Sequence, residues 1–478
     1  MLRLWPLLLL AGDLIIFALS VPLGCALGPE QISWFFLDQF KSPLAFMALT
    51  YVLVFYVANL YDHYQDFRRR ENVSLIILSS LIATLIVIIF FTLPGRRLVA
   101  RGFVEWQGVA FVWLLVLWRY TFSAIALPVR LQRKVLIIGA GRAGREILKV
   151  INRRRNSGLA VAGFLDDSPH KLGMTIDGVP VLGNSGQIDE VIAQVKIGMV
   201  VVAITHEKSS TLLSSLVRLS LMGVELIDMP NLYEFLAGKI PTDHISDAWL
   251  MIHSLNASKM YYRHFKRITD VVLAALGLAL TWPLVLLIAA AVKLDSPGPV
   301  FFRQERLGKD CRPFHIIKFR TMIQDAEKAG PQFASRRDPR ITRVGRVLRK
   351  TRLDEIPQLY NILKGEMSFI GPRPERAVFI REFQEMVPDW REGRRGTDTH
   401  SHQVACGHRE RIPYYSYRLL IKPGITGWAQ VMHPYAANLE ETKEKLQYDL
   451  YYIKNMSLFL DLAILLKTIR IVLFGWGR

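Results

Sequence analysis

Apolar residues gather into four long runs near the start of the chain, at Leu4 to Ala26, Pro43 to Leu60, Val73 to Leu93 and Gln107 to Leu127. Each is about as long as a bilayer-spanning helix requires, roughly 20 residues. The pattern predicts four transmembrane helices within residues 1–130, which leaves both ends of this region on the same side. The first run makes a poor signal peptide, because its basic region is a single Arg3, Asp13 interrupts it and no small-x-small cleavage site follows. Pro22-Leu23-Gly24-Cys25 is likewise a poor lipobox. Arg68-Arg69-Arg70 after the second run, and Arg130, Arg133 and Lys134 after the fourth, place those segments in the cytoplasm; Arg96, Arg97 and Arg101 in the third loop pull the other way. Asp13 reads either as an intramembrane functional acid or as a packing or interfacial residue near a helix end.

From residue 131 to 255 the period changes. Lys134-Val-Leu-Ile-Ile-Gly139-Ala-Gly141-Arg-Ala-Gly144 is an apolar strand, a GxGxxG turn and the start of a helix. Glycine there lets backbone approach a phosphate at a helix N-terminus. Later apolar runs at Val161 to Leu165, Met199 to Ile204 and Val224 to Asp228 alternate with helical stretches, as in a Rossmann-like, doubly wound parallel sheet. Gly139, Gly141 and Gly144 are the candidate phosphate turn, and Asp166 or Asp167 stands near the place of a ribose-binding acid. No Tyr-x-x-x-Lys pair follows to carry hydride chemistry. Three readings stay open: a structural or regulatory domain holding a nucleotide, an empty remnant, and an active dehydrogenase or epimerase.

A fifth apolar run, Ile268 to Val292, is interrupted by Trp282-Pro283. A kinked span is the plain reading. Yet Arg263, Lys266 and Arg267 flank its start, and Lys293, Arg303, Arg306, Lys309 and Arg312 follow its end, so both flanks favour the cytoplasmic face. A re-entrant hairpin over residues 264–295, broken at Pro283, satisfies both flanks, provided other protein covers its backbone at depth.

Charge then changes the picture. Among 478 residues, 60 Lys+Arg stand against 41 Asp+Glu, a formal +19, while 51% of residues are hydrophobic. Disorder, collagen-like sequence and a small disulfide scaffold are excluded, and so basic a chain looks for phosphate in nucleic acid, lipid or substrate. Cys25, Cys311 and Cys406 are odd in number and widely spaced, which reads as unpaired thiols in a reducing compartment. Much of the excess charge precedes one acidic pair. Lys318-Phe-Arg320-Thr-Met ends a strand-like run. Residues 336–352 then hold Arg336, Arg337, Arg340, Arg343, Arg346, Arg349, Lys350 and Arg352 against the single acid Asp338, and the run closes in Leu353-Asp354-Glu355-Ile-Pro-Gln-Leu.

A basic run alone is most simply a solvated or membrane-surface face. Two adjacent carboxylates at its end alter the weighing. A carboxylate among arginines is held ionised, as a nucleophile must be. The same arginines neutralise a pyrophosphate and the phosphoryl group in transfer. A second acid helps hold Mg²⁺, which binds through one or two carboxylates plus phosphate oxygens.

Lys318-Phe-Arg-Thr-Met, Leu353-Asp-Glu-Ile-Pro-Gln-Leu, Lys364-Gly-Glu-Met-Ser-Phe-Ile-Gly-Pro-Arg373-Pro, Lys422-Pro-Gly-Ile-Thr-Gly-Trp-Ala-Gln and Tyr448-Asp-Leu-Tyr-Tyr-Ile-Lys-Asn occur in that order. In these five motifs the segment from Tyr261 onward resembles the monotopic phosphoglycosyl transferases, bacterial polyprenyl-phosphate hexose-1-phosphate transferases. With four helices and a nucleotide-type domain ahead of it, the whole chain is similar to the large form of the family, which includes undecaprenyl-phosphate galactose and glucose phosphotransferases. The resemblance implies a catalytic α/β domain over residues 256–478 at the cytoplasmic face of the bacterial inner membrane. It implies a ping-pong reaction in which Asp354 attacks the β-phosphorus of a UDP-sugar, releases UMP and passes the sugar phosphate to undecaprenyl phosphate, starting a surface polysaccharide. Glu355 matches the metal-associated acid for Mg²⁺. Lys318, Arg320, Arg349, Arg352 and Arg373 are the candidate phosphate and nucleotide contacts, and Pro283 matches the proline at which the family's membrane hairpin breaks. Where the family often has Ser before that proline, this chain has Trp282. A homodimer is the oligomer expected from the family form, membrane lipids are expected partners, and nucleic acid is not.

Two further segments carry weaker signals. Residues 391–411, with His400, His402, Cys406 and His408, form an inserted polar loop whose four side chains are also a transition-metal set. Residues 456–476 read as an interfacial amphipathic helix, and Tyr414, Tyr415, Tyr417 and Trp428 either rim the headgroups or pack in the core. Two other functions compete with transfer. A membrane-tethered NAD(P)-dependent nucleotide-sugar dehydratase or epimerase lacks its Tyr-x-x-x-Lys, and a lipid- or polysaccharide-binding scaffold has no use for Asp354-Glu355 among arginines.

Overall fold

A computed structural model describes residues 5–27, 41–58, 60–61, 67–68, 70–92, 101–126, 133–154, 158–204, 209–247, 249, 260–324, 326, 338–376, 412–433 and 439–474. The chain divides into two units, Met1–Ala237 and Gly238–Arg478. The inserted loop, with its histidines and Cys406, lies outside the described residues.

In the first unit the apolar runs form four helices: α1 (Trp5–Leu27), α2 (Lys41–Val57), α3 (Arg70–Thr92) and α4 (Arg101–Ala126). By length and composition α1, α3 and α4 can cross a bilayer, and α2 is a shorter apolar helix. One buried cluster joins all four, with Leu9, Phe17, Tyr51, Phe55, Ala83 and Phe111 among its members. Helices α1 and α4 run antiparallel and close together. A Cβ on Gly12 would lie 2.1 Å from the Trp118 ring, and one on Gly24 would lie 2.6 Å from Gln107 Cβ. Their contact also holds polar groups. Arg119 donates to Asp13 at 2.5 Å and to the Leu60 carbonyl at 2.7 Å, and Gln107 donates to Ser20 at 2.8 Å. Asp13 is thus paired inside the bundle rather than placed at an interface, because Arg119, one residue after Trp118, stands opposite it.

The same unit holds a six-stranded sheet. Its strands are β1 (Arg133–Ile138), β2 (Leu159–Leu165), β3 (Thr175–Ile176), β4 (Val179–Gly183), β5 (Met199–Val202) and β6 (Glu225–Asp228). They lie in the order β3-β4-β2-β1-β5-β6, parallel except for β3. Helices α5 (Arg142–Arg153) and α8 (Met229–Ala237) pack on one face; α6 (Ile188–Val195) and α7 (Ser210–Leu221) cover the other. Strand burial on both faces explains why β1 and β5 read as unbroken apolar runs.

The second unit begins at Gly238, ahead of the expected boundary at 256. Local contacts account for this: Trp428 donates to the Gly238 carbonyl, Lys239 pairs with Glu444 at 2.7 Å, and Ile240 N donates to the Gln447 carbonyl. Helix α9 (Met260–Asp295) is continuous through Pro283, one helix where two arms were expected. A proline removes one hydrogen bond and bends a helix without having to end it. A hairpin of β7 (Phe301–Leu307) and β8 (Pro313–Phe319) follows, then α10 (Arg343–Thr351), a 3₁₀ turn at Leu353–Glu355, α11 (Gln358–Lys364) and β9 (Ser368–Ile370). After residue 411 come β10 (Gly424–Thr426), parallel to β9, and the helices α12 (Trp428–Met432), α13 (Leu439–Asn455) and α14 (Leu458–Phe474).

Polarity in α14 is turned inward. Asp461 is buried and accepts from Tyr262 at 2.6 Å, Lys266 at 2.7 Å and Tyr452 at 2.8 Å, while Phe459 and Leu462 are exposed. Tyr415 is core, and Trp428 stacks on Tyr451, so these two pack instead of rimming a surface. Cys25 is a free thiol, whereas Cys311 is disulfide-bonded, which corrects the expectation of three unpaired cysteines.

Candidate active site

The site is assembled where β8, α10 and the turn before α11 meet. Residues 321–323 pair with 340–342 through Thr342 N to Thr321 O, Ile323 N to Arg340 O and a bridge at Met322 and Ile341. This brings α10 beside the end of β8. Thr342 caps the helix by accepting from Gly345 N at 2.9 Å. Position 345 tolerates no side chain, because a Cβ there would lie 2.1 Å from the Thr321 carbonyl oxygen. At the other end Arg352 adopts φ 60°, a left-handed conformation that stops α10 and reverses the chain into the 3₁₀ turn. The reversal buries Asp354.

Helix α11 fixes the register of that turn against β8. Asn361 accepts from Ile317 N at 3.1 Å and donates to the His315 carbonyl at 2.8 Å, satisfying an otherwise open strand edge. With that staple in place, Lys318 Nζ meets Glu355 Oε1 at 2.7 Å. Arg373 Nη2 stands 3.6 Å and Arg352 Nη1 3.9 Å from the same oxygen. Arg349 is held alongside by donating from Nε to Thr321 Oγ1 at 3.0 Å. Four cationic groups thus surround two carboxylates, a local excess of positive charge suited to a pyrophosphate.

The two acids are not equivalent. Burial alone would raise Glu355, yet Lys318 and Arg373 outweigh it and hold the carboxyl at about 2, so it is ionised. Asp354 is raised instead. Burial and the neighbouring Glu355 charge push it up against the pull of Lys318, Arg349 and Arg352. Its Oδ1 is buried and has no hydrogen-bond partner among the described residues, and neither has Nε2 of buried Gln358 one turn on. The acid held firmly ionised is therefore Glu355, while Asp354 keeps an unsatisfied oxygen. Burial likewise depresses Lys318, partly restored by Glu355.

Arg320 was expected in this group from its place in the Lys318-Phe-Arg320-Thr-Met motif. The structure puts its guanidinium elsewhere. Strand β8 ends at Phe319, and Arg320 turns away to donate to the carbonyls of Ser296 at 2.6 Å and Pro297 at 2.8 Å, closing the C-terminal end of α9. Of the basic run, Arg343, Arg346 and Lys350 face outward, and Arg340 is engaged with Asp338. Asn361 and Gln358 were missed. Their spacing of seven and four residues from Asp354 on one helical face was the available signal.

In the first unit the glycine-rich turn has the form expected of a phosphate loop. Gly139 has φ +102°, a Cβ on Gly144 would lie 2.0 Å from the Gly139 carbonyl oxygen, and one on Gly141 would meet nothing within 4 Å. Asp166 is engaged within the domain. Its carboxylate already accepts from Ala140 N at 2.7 Å, Lys171 Nζ at 2.9 Å and Ser168 N at 3.0 Å. Among the described residues no cluster of three or more His, Cys, Asp or Glu forms a metal site.

Residues 261–475 match the family model described as bacterial sugar transferase, and residues 58–230 match one described as a CoA-binding domain. The chain is 43% identical over 262 residues to a UDP-N-acetylgalactosamine-undecaprenyl-phosphate N-acetylgalactosaminephosphotransferase of Aeromonas hydrophila, covering 55% of this chain and 55% of the relative. It is 30% identical over 440 residues to a UDP-glucose:undecaprenyl-phosphate glucose-1-phosphate transferase of Klebsiella pneumoniae, covering 88% of this chain and 87% of the relative. A protein of the same description from Xanthomonas campestris pv. campestris is 30% identical over 349 residues, 70% of this chain and 66% of that one. The chain therefore spans about half the length of the Aeromonas relative and nearly all of the Klebsiella one.

Proposed function

We propose that this chain, which belongs to the bacterial sugar transferase family, is a membrane enzyme that moves a hexose 1-phosphate from a UDP-sugar to undecaprenyl phosphate. The observation that carries the reading is the buried Asp354, with an unpartnered oxygen, beside an ionised Glu355 and ringed by Lys318, Arg349, Arg352 and Arg373. Binding donates the pyrophosphate to this excess positive charge. The Asp354 carboxylate then attacks the β-phosphorus; an Asp–O–P bond forms, the bridging P–O bond breaks, and UMP leaves with its electron pair. The arginines stabilise charge on the phosphoryl group as it moves. In the second half, an oxygen of undecaprenyl phosphate attacks the same phosphorus, the Asp–O–P bond breaks, and the undecaprenyl diphosphosugar departs with Asp354 restored. Such a product starts polysaccharide assembly.

Mg²⁺ bound by Asp354, Glu355 and phosphate oxygens would add charge neutralisation, and the donor set fits that ion because the open Asp354 oxygen lies beside an ionised second acid. No step runs through a nucleotide in the α/β domain, whose part is structural or regulatory, since Asp166 is spent on Ala140 and Lys171.

Helix α9 enters and leaves the bilayer on the cytoplasmic side, bent at Trp282-Pro283. Supporting this, Arg267 near its start donates to the carbonyls of Ile362 and Leu363 at 2.6 and 2.7 Å, while Asp295 at its end accepts from Val344 N at 2.9 Å. Ala274 packs with Leu359, Ile288 with Leu348, and Ile356 borders both clusters. Residues 14 apart on a straight helix are separated by about 21 Å, a distance that a bend at the proline shortens. Cysteines introduced at His264 and Lys309 should react with an impermeant reagent from the same face of sealed vesicles; opposite faces would restore a spanning helix.

The relatives differ in their sugar. The test of the activity is therefore a panel of radiolabelled UDP-sugars with undecaprenyl phosphate, in which one sugar is expected to enter the lipid fraction and Asp354→Asn to abolish the transfer. Full transfer by that variant would sink the mechanism.

A further inference from the structure

We infer that Arg418 is a positioning residue, which with Glu375, Lys445 and Asp449 sets Arg373 against the reacting phosphate; the inference rests on the role proposed above for Arg373. These four charges lie outside the Asp354 cluster, and the reaction as written uses none of them. Arg418 is 5% exposed and Asp449 2%. Arg418 Nε stands 2.8 Å from Asp449 Oδ2 as an ion contact and not an aligned hydrogen bond, since neither atom has a hydrogen-bond partner among the described residues. Its Nη1 donates to Tyr415 OH at 2.7 Å, and its Nη2 reaches Glu375 Oε1 at 3.6 Å. Lys445 Nζ closes the group by donating to Glu375 Oε1 at 2.6 Å.

What this frame grips is the segment that carries Arg373. Residues 371–375 have no helix or strand of their own, yet each backbone unit is held. Gly371 N donates to Thr426 O at 2.9 Å, and Gly424 N to Pro372 O at 2.9 Å. Arg418 Nη2 donates to the Arg373 carbonyl at 3.3 Å, Arg306 to the Pro374 carbonyl at 3.1 Å, and Leu307 N to the Glu375 carbonyl at 3.1 Å. Arg418 thus holds the segment twice, at the Arg373 carbonyl and at the Glu375 side chain. With its backbone fixed, Arg373 extends one guanidinium nitrogen to Gln430 Oε1 at 3.1 Å and the other to Glu355 Oε1 at 3.6 Å, and its side chain remains 37% exposed to an incoming phosphate.

Energetics point to geometry as the purpose of the frame. Burying an ion pair such as Arg418 and Asp449 costs several kcal/mol per ion, and apolar replacements of buried ion pairs are often as stable. Stability alone therefore gives little reason for a buried pair flanked by two further, partly buried charges at this place. A guanidinium with three directed nitrogens can hold Asp449, Tyr415 and the Arg373 carbonyl at once; an ammonium cannot. Arg373 is carried on backbone that belongs to no helix or strand, so its placement needs such support.

The test is a double-mutant cycle on the full chain in membranes or nanodiscs, reading kcat and KM for the UDP-sugar in the first half-reaction. Arg418→Lys is expected to lower kcat/KM about tenfold, as misplacement of a transition-state contact does. In an Arg373→Lys background, which retains the charge but loses the fork, it is expected to add no further loss. Glu375→Gln, a milder change in the same frame, should follow the same pattern and carries the test if Arg418→Lys does not fold. Equal losses in both backgrounds would make the frame merely structural and overturn the inference. So would normal activity of Arg418→Lys and Glu375→Gln beside an impaired Arg373→Lys, while leaving Arg373's own role intact. Full activity of Arg373→Lys and Arg373→Ala would remove that role and the inference together.

Discussion

Asp354 and Glu355 are neighbours in sequence with opposite electrostatic fates. Glu355 faces Lys318 and is held ionised at about 2, whereas burial and the charge of Glu355 raise Asp354. Attack on phosphorus requires the Asp354 carboxylate. Adduct formation should therefore fall with falling pH through a value above the usual aspartate range near 4. Among the cations, Lys318 pulls Asp354 down most strongly. Replacing it in Lys318→Met is expected to move the acid limb of the adduct-formation profile upward; an unmoved limb, or one shifted to lower pH, would contradict this assignment. The acidic pair and the cations Lys318, Arg349, Arg352 and Arg373 were legible because they stand in the basic run that ends in Leu353-Asp354-Glu355 and in the Lys318-Phe-Arg-Thr-Met and Gly-Pro-Arg373-Pro motifs. Arg418 and Asp449 were not, since side chains that grip backbone carbonyls or buried ions leave no periodic trace in sequence. Arg320 shares a motif with Lys318, but motif membership does not fix where a side chain points once the strand has ended, and β8 stops at Phe319.

At the scale of elements, apolar runs translated into helices within a few residues, because a bilayer-length run admits few alternatives. How the helices pair was less evident. Asp13 alone looked like an interruption, and Arg119, 106 residues away, is what makes it part of the α1–α4 contact. Breaking such a pair should cost about 3–5 kcal/mol, because one charge remains buried and unpaired. Asp13→Leu and Arg119→Leu are each expected to lower the melting temperature of the detergent-solubilised protein, and the double variant to regain most of the loss. Additive losses would mean the two residues act separately. Helix α14 shows the reverse of ordinary amphipathicity, its acid turned to Tyr262 and Lys266 and its phenylalanine outward. That suits an element whose outer surroundings are lipid.

For the whole molecule, the combination of +19 net charge with a chain more than half hydrophobic resolves into division of labour. Apolar surface lies on the four helices and on α9, and the substrates proposed above, a soluble pyrophosphate and a lipid phosphate, would meet the basic site. The α/β sheet of the first unit follows from its apolar strands and glycine turn, but the engagement of Asp166 shows how little a GxGxxG motif says about a ligand. The central claim is covalent transfer through Asp354. Incubating the purified chain with its radiolabelled UDP-sugar and no acceptor, then mapping the label by mass spectrometry, tests it most directly. One hexose phosphate on the Asp354 peptide, discharged by added undecaprenyl phosphate and missing in Asp354→Asn, is the expected result. Turnover without any adduct, or a labelled residue other than Asp354, would contradict it.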